Sequence, residues 1–177
     1  ETTVEMRKNP EGVAVSAPRF SWQLVTDKQD VMQTAYQIEV ADSEKGLQAG
    51  SGLVWNSGRV ESGQSVLVKY AGASLESGQK YWWRVTVWTN TGDKAQSSIQ
   101  YWSMALLDSS DWKAGWIGLN DSTNLKLDGE RTILPARYLR KEFDLPSQPK
   151  RAVLYVSGVG SSVCYMNGAV SYTHLTL

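Results

Sequence analysis

One cysteine, one histidine, two phenylalanines and five prolines are all that this chain of 177 residues holds of those types. The single cysteine, Cys164, excludes an internal disulfide and any zinc cluster built on cysteines, which leaves the redox compartment open. Net charge is missing too. Eighteen basic residues balance eighteen acidic ones, with 11 against 13 through Gly118 and 7 against 5 beyond it. Neither part is basic enough to recruit nucleic acid or an anionic membrane. Apolar runs extend for only a few residues, far short of the roughly twenty a membrane-crossing helix needs. Glu1 follows neither a methionine nor a basic-then-apolar signal segment, so it is expected to be a processed end or the interior of a longer reading frame.

What the chain does have is alternation. With 41% hydrophobic and 20% charged residues it has the composition of a packed soluble protein of one large domain or two small ones. Apolar and polar positions alternate with period two, and Gly, Ser, Asn and Asp break the pattern every eight to twelve residues, as in an antiparallel sandwich. Helical periodicity is nearly absent. Seven strands are expected in residues 1–106: "TTVEMR", "RFSWQLV", "TAYQIEVA", "LVWNSGRV", "SVLVKY", "KYWWRVTVW" and "QYWSMAL". Side chains along a strand point alternately to its two faces, so Phe20, Trp22 and Leu24 share one face, as do Tyr36, Ile38 and Val40. That strand count belongs to an immunoglobulin-like or fibronectin type III-like sandwich. In "LESGQKYWWRVTVWTNTG", Leu75 precedes a Gly-containing turn and Tyr81 opens the next strand, where its hydroxyl can tie down a corner between strands. Thr91-Gly92 then closes a hairpin.

Residues 107–118, "LDSSDWKAGWIG", break the alternation around Trp112 and Trp116. Two tryptophans suit an ordered connector better than a solvated linker. Residues 119–169 open on a polar loop and continue with three expected strands, "RYLRKEFDL", "RAVLYVSG" and "SVCYMNGAV", the last turning at Asn167-Gly168. Three strands leave an uncovered apolar face and an unpaired edge, so this second β module is expected to be incomplete.

Tryptophan is the one enriched resource, eight in all. If Tyr81, Trp83, Val85 and Val87 fill the core, then Trp82, Arg84 and Trp88 point outward. The arginine between the two tryptophans is placed for cation-π contact. Such a surface suits docking against a neighbouring domain, or a platform for a sugar ring. Trp22, Trp55 and Trp102 are read as core or edge packing. Cys164, within an alternating strand, is read as a small buried hydrophobe, and Gly158 and Gly160 in "SGVGSS" as a turn, since a phosphate loop needs a further glycine and a following helix. No Ser, Cys or carboxylate stands at an interpretable spacing from His174. No catalytic, cofactor-binding or metal-ligating residue is assigned.

In order, "NPEGVAVSAPRFSWQL", "QTAYQIEVADS", "VWNSGRVESGQSVLVKYAG", "LESGQKYWWRVTVW", "DWKAGWIG", "ARYLRKEFDL" and "KRAVLYVSGVG" resemble the N-terminal region of bacterial α-L-rhamnosidases of glycoside hydrolase family 78, across nearly all of residues 8–169. The resemblance implies an all-β fragment: a fibronectin type III-like sandwich, then the truncated start of a jelly-roll or galactose-binding-like sandwich. Catalysis would sit on an α-helical barrel beyond it, where two carboxyl groups act with inversion on a rhamnose-containing glycan. Two departures stand out. The usual tryptophan-serine pair is missing before the last strand of the first sandwich, and Ser161 and Ser162 replace an aromatic after the Gly-rich turn. Asp121, Asp128 and Glu130 crowd one polar loop and are read as solvated charges.

The final stretch, residues 170–177, "VSYTHLTL", resembles one translated frame of a transposase-based sequencing adapter. It is expected to be a non-native tail. The alternative is a genuine strand, since Val170, Tyr172 and His174 alternate with smaller residues. A carbohydrate-binding or adhesion module that stands alone is the other functional class the sequence allows.

Overall fold

The computed structural model of the chain describes residues 1–118, 126–127, 131–132, 136–158 and 161–175. The chain divides into two compact units, Glu1–Gly115 and Trp116–Leu177.

The first unit is a sandwich of two antiparallel sheets. One holds β1 (Thr2–Val4), β2 (Arg19–Trp22) and β6 (Val68–Lys69), with β2 in the middle. The other centres on two long strands, β3 (Gln33–Ala41) and β7 (Lys80–Thr89). Outside β3 lie β4 (Leu53–Asn56) and β5 (Val60–Glu61), and outside β7 lie β8 (Lys94–Gln96) and β9 (Gln100–Ser103).

The core forms where the alternating apolar positions of the two sheets meet. Phe20 from β2 lies 4.6 Å from the Trp83 ring and 5.5 Å from that of Trp102, centroid to centroid. Tyr36, Ile38 and Val40 from β3, and Tyr81, Trp83, Val85 and Val87 from β7, are buried beside them as the alternation requires. Trp22 and Trp102 are core residues and Trp55 packs at its margin. Leu24 lies past the end of β2 and is only partly buried.

The expected corner is present. Tyr81 Oη accepts a hydrogen bond from the Glu76 amide at 2.9 Å, over the buried Leu75. The hairpin at its other end is present too, with Gly92 at φ +82° and its amide donating to Thr89 O. A second tyrosine, Tyr70, donates to Ala73 O at 2.7 Å, and burial pushes its pKa up to about 12.

Three features of this unit differ from expectation. "LVWNSGRV" is two strands, because the chain leaves the ladder at Ser57-Gly58, where Gly58 takes φ +62° and Ser57 Oγ accepts from the Ile38 amide. β8 intervenes between β7 and β9. Helix α1 (Glu44–Ala49) follows β3, capped by Ser43, whose hydroxyl accepts from Gly46 N, and by Gly50 at φ +66°. Its one fully buried residue, Leu47, is too little for a helical period to show over six residues.

The second unit holds two antiparallel ribbons: β10 (Lys126–Leu127) with β11 (Arg131–Thr132), and β12 (Ser161–Met166) with β13 (Ala169–Leu175). The latter turns at Asn167 and Gly168, at φ +49° and +81°, the left-handed pair that a two-residue hairpin prefers. β13 continues through residues 170–175, paired to β12 with a register shift at Cys164/Tyr165. "RYLRKEFDL" and "RAVLYVSG" are not strands. Alternation permits a strand, but only a lateral partner satisfies its backbone groups, and among the described residues none pairs with either segment. Tyr138, Phe143 and Leu145 there are exposed.

Candidate functional site

The even-numbered positions of β7 build the face of the larger sheet opposite the core. Pairing sets this face out in rows. Trp88 lies between Ala35 and Lys94, Thr86 between Gln37 and Gln96, Arg84 beside Glu39, and Trp82 between Ala41 and Tyr101. Trp82, Arg84 and Trp88 are therefore on one face, each half-buried. Ala35, Ala41 and Thr86 are buried on the same face.

Arg84 does not stack on either tryptophan. Its Nε bonds Glu39 Oε2 at 2.8 Å in a pair that is mostly shielded from water. A carboxylate directly across the ladder offers a charge-assisted bond, which outweighs a cation-π contact along the strand. Other cations meet the rings. The Arg59 guanidinium lies 4.8 Å and Lys94 Nζ 5.3 Å from the Trp88 centroid. Lys80 Nζ lies 3.4 Å from the Tyr101 centroid and 5.9 Å from that of Trp82. Arg59 also bonds Glu61 at 2.7 Å, and Lys80 lies 3.6 Å from a Glu11 oxygen. Between the two aromatic ends runs a row of amides: Gln37 Nε2 donates to Asn56 Oδ1 at 2.9 Å, and Gln96 Nε2 to Thr86 Oγ1 at 3.0 Å.

The surface thus has two aromatic ends, each already in contact with a cation of its own chain, and a hydrogen-bonded polar middle. Arg59, Lys94, Tyr101 and Glu39 reach β7 only through strand register and escape a reading of the sequence, whereas Lys80, also missed there, lies in β7 itself on the same face as Trp82. Two of these carried a local signal: Lys80, two residues before Trp82 in one strand, and Lys94, six residues past Trp88 across a Gly-containing hairpin.

Asp121, Asp128 and Glu130 lie outside the described residues, as does Gly160. His174 stands opposite Ser162 in the β12–β13 ladder. Cys164 is a partly exposed free thiol opposite Tyr172, not the fully buried hydrophobe its alternating strand implied. Among the described residues no three His, Cys, Asp or Glu side chains group to hold a metal ion, and no helix is long and apolar enough to cross a membrane.

Residues 1–108 match the family described as Rha78A-like, N-terminal immunoglobulin domain. An α-L-rhamnosidase of Formosa agariphila is 39% identical over 170 residues, covering 94% of this chain and 18% of that protein. One from Alteromonas sp. is 33% identical over 162 residues, covering 90% of this chain and 18% of that protein. The crystal structure of Streptomyces avermitilis α-L-rhamnosidase, complexed with L-rhamnose, superposes with a TM-score of 0.63 at 38% identity, over 67% of this chain and 11% of that one. The chain spans about a fifth of the length of the curated relatives it matches. On the sandwich, its tyrosine corner and these matches together, the chain belongs to the Rha78A-like family, with residues 1–108 as its N-terminal immunoglobulin domain.

Proposed function

We propose that the chain is a noncatalytic N-terminal part of an α-L-rhamnosidase. The parent would hydrolyse terminal α-L-rhamnosyl residues with inversion, on an α-helical barrel outside these residues. One observation carries this: nine-tenths of the chain aligns with α-L-rhamnosidases while spanning 18% of their length. Four carboxylates of the first unit add to it. Inverting hydrolysis needs an acid and a base on opposite sides of the scissile bond, about 6.5–9.5 Å apart. Here Glu5 is bound to Arg19, Glu39 to Arg84, Glu61 to Arg59 and Asp93 to Lys28. Each of these four is engaged by a cation of its own unit.

In this reading residues 1–106 are the accessory sandwich, 107–118 the connector, and 119–169 the opening of a second β-sandwich of the galactose-binding type. The face bearing Trp82, Arg84 and Trp88 docks against another domain of the parent. Docking is favoured over sugar stacking because each ring already contacts a cation of its own chain, which a sugar would have to displace.

The test is a chromogenic α-L-rhamnoside. The purified chain releases no nitrophenolate, and the chain in frame with the rest of its parent does. Release by the chain alone overturns the proposal. Tryptophan fluorescence titrated with rhamnose separates the two uses of the face: a saturable shift abolished by Trp82→Ala and Trp88→Ala supports a sugar platform and removes docking.

A further inference from the structure

The turn of residues 76–79 is held from two sides. From within, Tyr81 Oη accepts the Glu76 amide. From outside, the same turn receives the chain as it leaves β9. Met104 N donates to Gln79 O at 2.9 Å, Gly78 N to Ala105 O at 3.1 Å, and Leu107 N to Ser77 Oγ at 2.8 Å. The Ser77 hydroxyl then donates to Asp111 Oδ2.

Asp111 ends a 3-10 turn, Ser109–Asp111, closed by a reciprocal capping box. Asp108 Oδ1 accepts from Ser110 N at 2.7 Å, and the Asp111 carboxylate accepts from Asp108 N at 3.2 Å. Lys113 Nζ adds a bond to Ser110 O at 2.8 Å. Between Leu107, which packs against the core, and Trp112 the segment is small and polar, so apolar burial does little to hold residues 108–111. Its order comes from these bonds, and those to a carboxylate are the strong ones.

We infer that Ser77, Asp108 and Asp111 form a clasp that fixes the course on which the chain leaves the sandwich, and that Tyr81 sets the clasp through the turn it pins. The immunoglobulin-like unit then ends in a stiff arm rather than a free tether. This holds whatever the parent hydrolyses, so its failure would leave the rhamnosidase proposal untouched.

Native-state amide exchange of the full chain tests it. Asp111→Ala accelerates exchange of the Leu107 and Asp108 amides about tenfold or more, the scale of a lost bond to a charged acceptor. The amides of Val40 and Trp83, in the central strands, change by less than about twofold. Ser77→Ala, which removes the Leu107 acceptor itself, accelerates Leu107 by at least as much and Asp108 by a smaller factor. Tyr81→Phe accelerates Leu107 as well, and combined with Asp111→Ala it gives less than the product of the separate factors, because both act on one turn. Three results overturn the inference: parental exchange at Leu107 and Asp108 in both clasp variants, equal acceleration across the whole first unit in both, or fold-changes that simply multiply in the combined variant.

Discussion

Replacing Tyr81 by phenylalanine isolates one bond. Tyr81 is only 3% exposed, its ring stacked 5.4 Å from Trp102 at an interplanar angle of 29°, and phenylalanine keeps that packing. Only the hydroxyl goes, and with it the acceptor for the Glu76 amide. Glu76 lies at the surface, where water can reach its amide in part, so the cost falls near that of an ordinary hydrogen bond with a partial penalty for the stranded donor, about 1–2 kcal/mol. For a unit of this size each kilocalorie moves the midpoint by roughly 4 °C, so the variant melts about 4–8 °C below the parent. Calorimetry reads the midpoint. Urea unfolding followed by the buried Trp22, Trp83 and Trp102 should show a lower midpoint with an unchanged slope, since the buried area is the same. Were Tyr81 to act through its ring alone, the substitution would be neutral. A midpoint within about 1 °C of the parent would therefore refute the hydroxyl's role.

Gly72→Ala places a Cβ 2.5 Å from both Trp55 Cβ and Tyr70 Oη, which must move apart, so stability falls by about 1–3 kcal/mol; an unchanged melt would show that the loop yields freely. Trp83 Nε1 is buried with no acceptor, whereas Trp102 Nε1 donates to Met104 Sδ at 3.1 Å. Trp83→Phe removes a stranded donor along with its volume and should be less destabilising than Trp102→Phe by about 1–2 kcal/mol, a ranking that urea midpoints decide. Arg19 holds the Glu5 carboxyl below its ordinary 4.5, chiefly through their side-chain hydrogen bond. A carboxylate lowered by folding contributes stability that is present above its unfolded value and lost as pH falls through the folded one. The parent's urea midpoint should drop below pH 4.5 with a contribution that Glu5→Gln lacks, and identical pH slopes for the two would exclude it.

How far the sequence specifies this fold depends on how local each signal is. Core positions of β3 and β7 are legible because period-two burial is a property of the strand itself. The Tyr81 corner and the Asn167-Gly168 turn are legible because a few adjacent residues determine them. Helix α1 is not, since its six residues are held by a cap at each end and one buried leucine. The failure of "RYLRKEFDL" and "RAVLYVSG" to form strands has the opposite cause: alternation was present and the ladder was not. The Arg59 guanidinium over Trp88 was hidden for a third reason. Arg59 and Trp88 are 29 positions apart in sequence and meet only once β5 and β7 both pair with β3.

β7 also shows what fixes the facing of a strand when its most conspicuous residues cannot. Trp82 and Trp83 are identical and adjacent, so a one-residue slip would exchange one tryptophan for another at the core. The residues on either side settle the matter. In the slipped register Lys80, Arg84 and Thr86 would enter the core, and Tyr81, Val85 and Val87 would face water. An unpaired charge in that core would cost far more than the slip returns, and Arg84 would lose Glu39, its partner across the ladder. The outward arginine therefore has a structural duty before any interaction the face supports: it tells a strand with two equivalent tryptophans which one to bury.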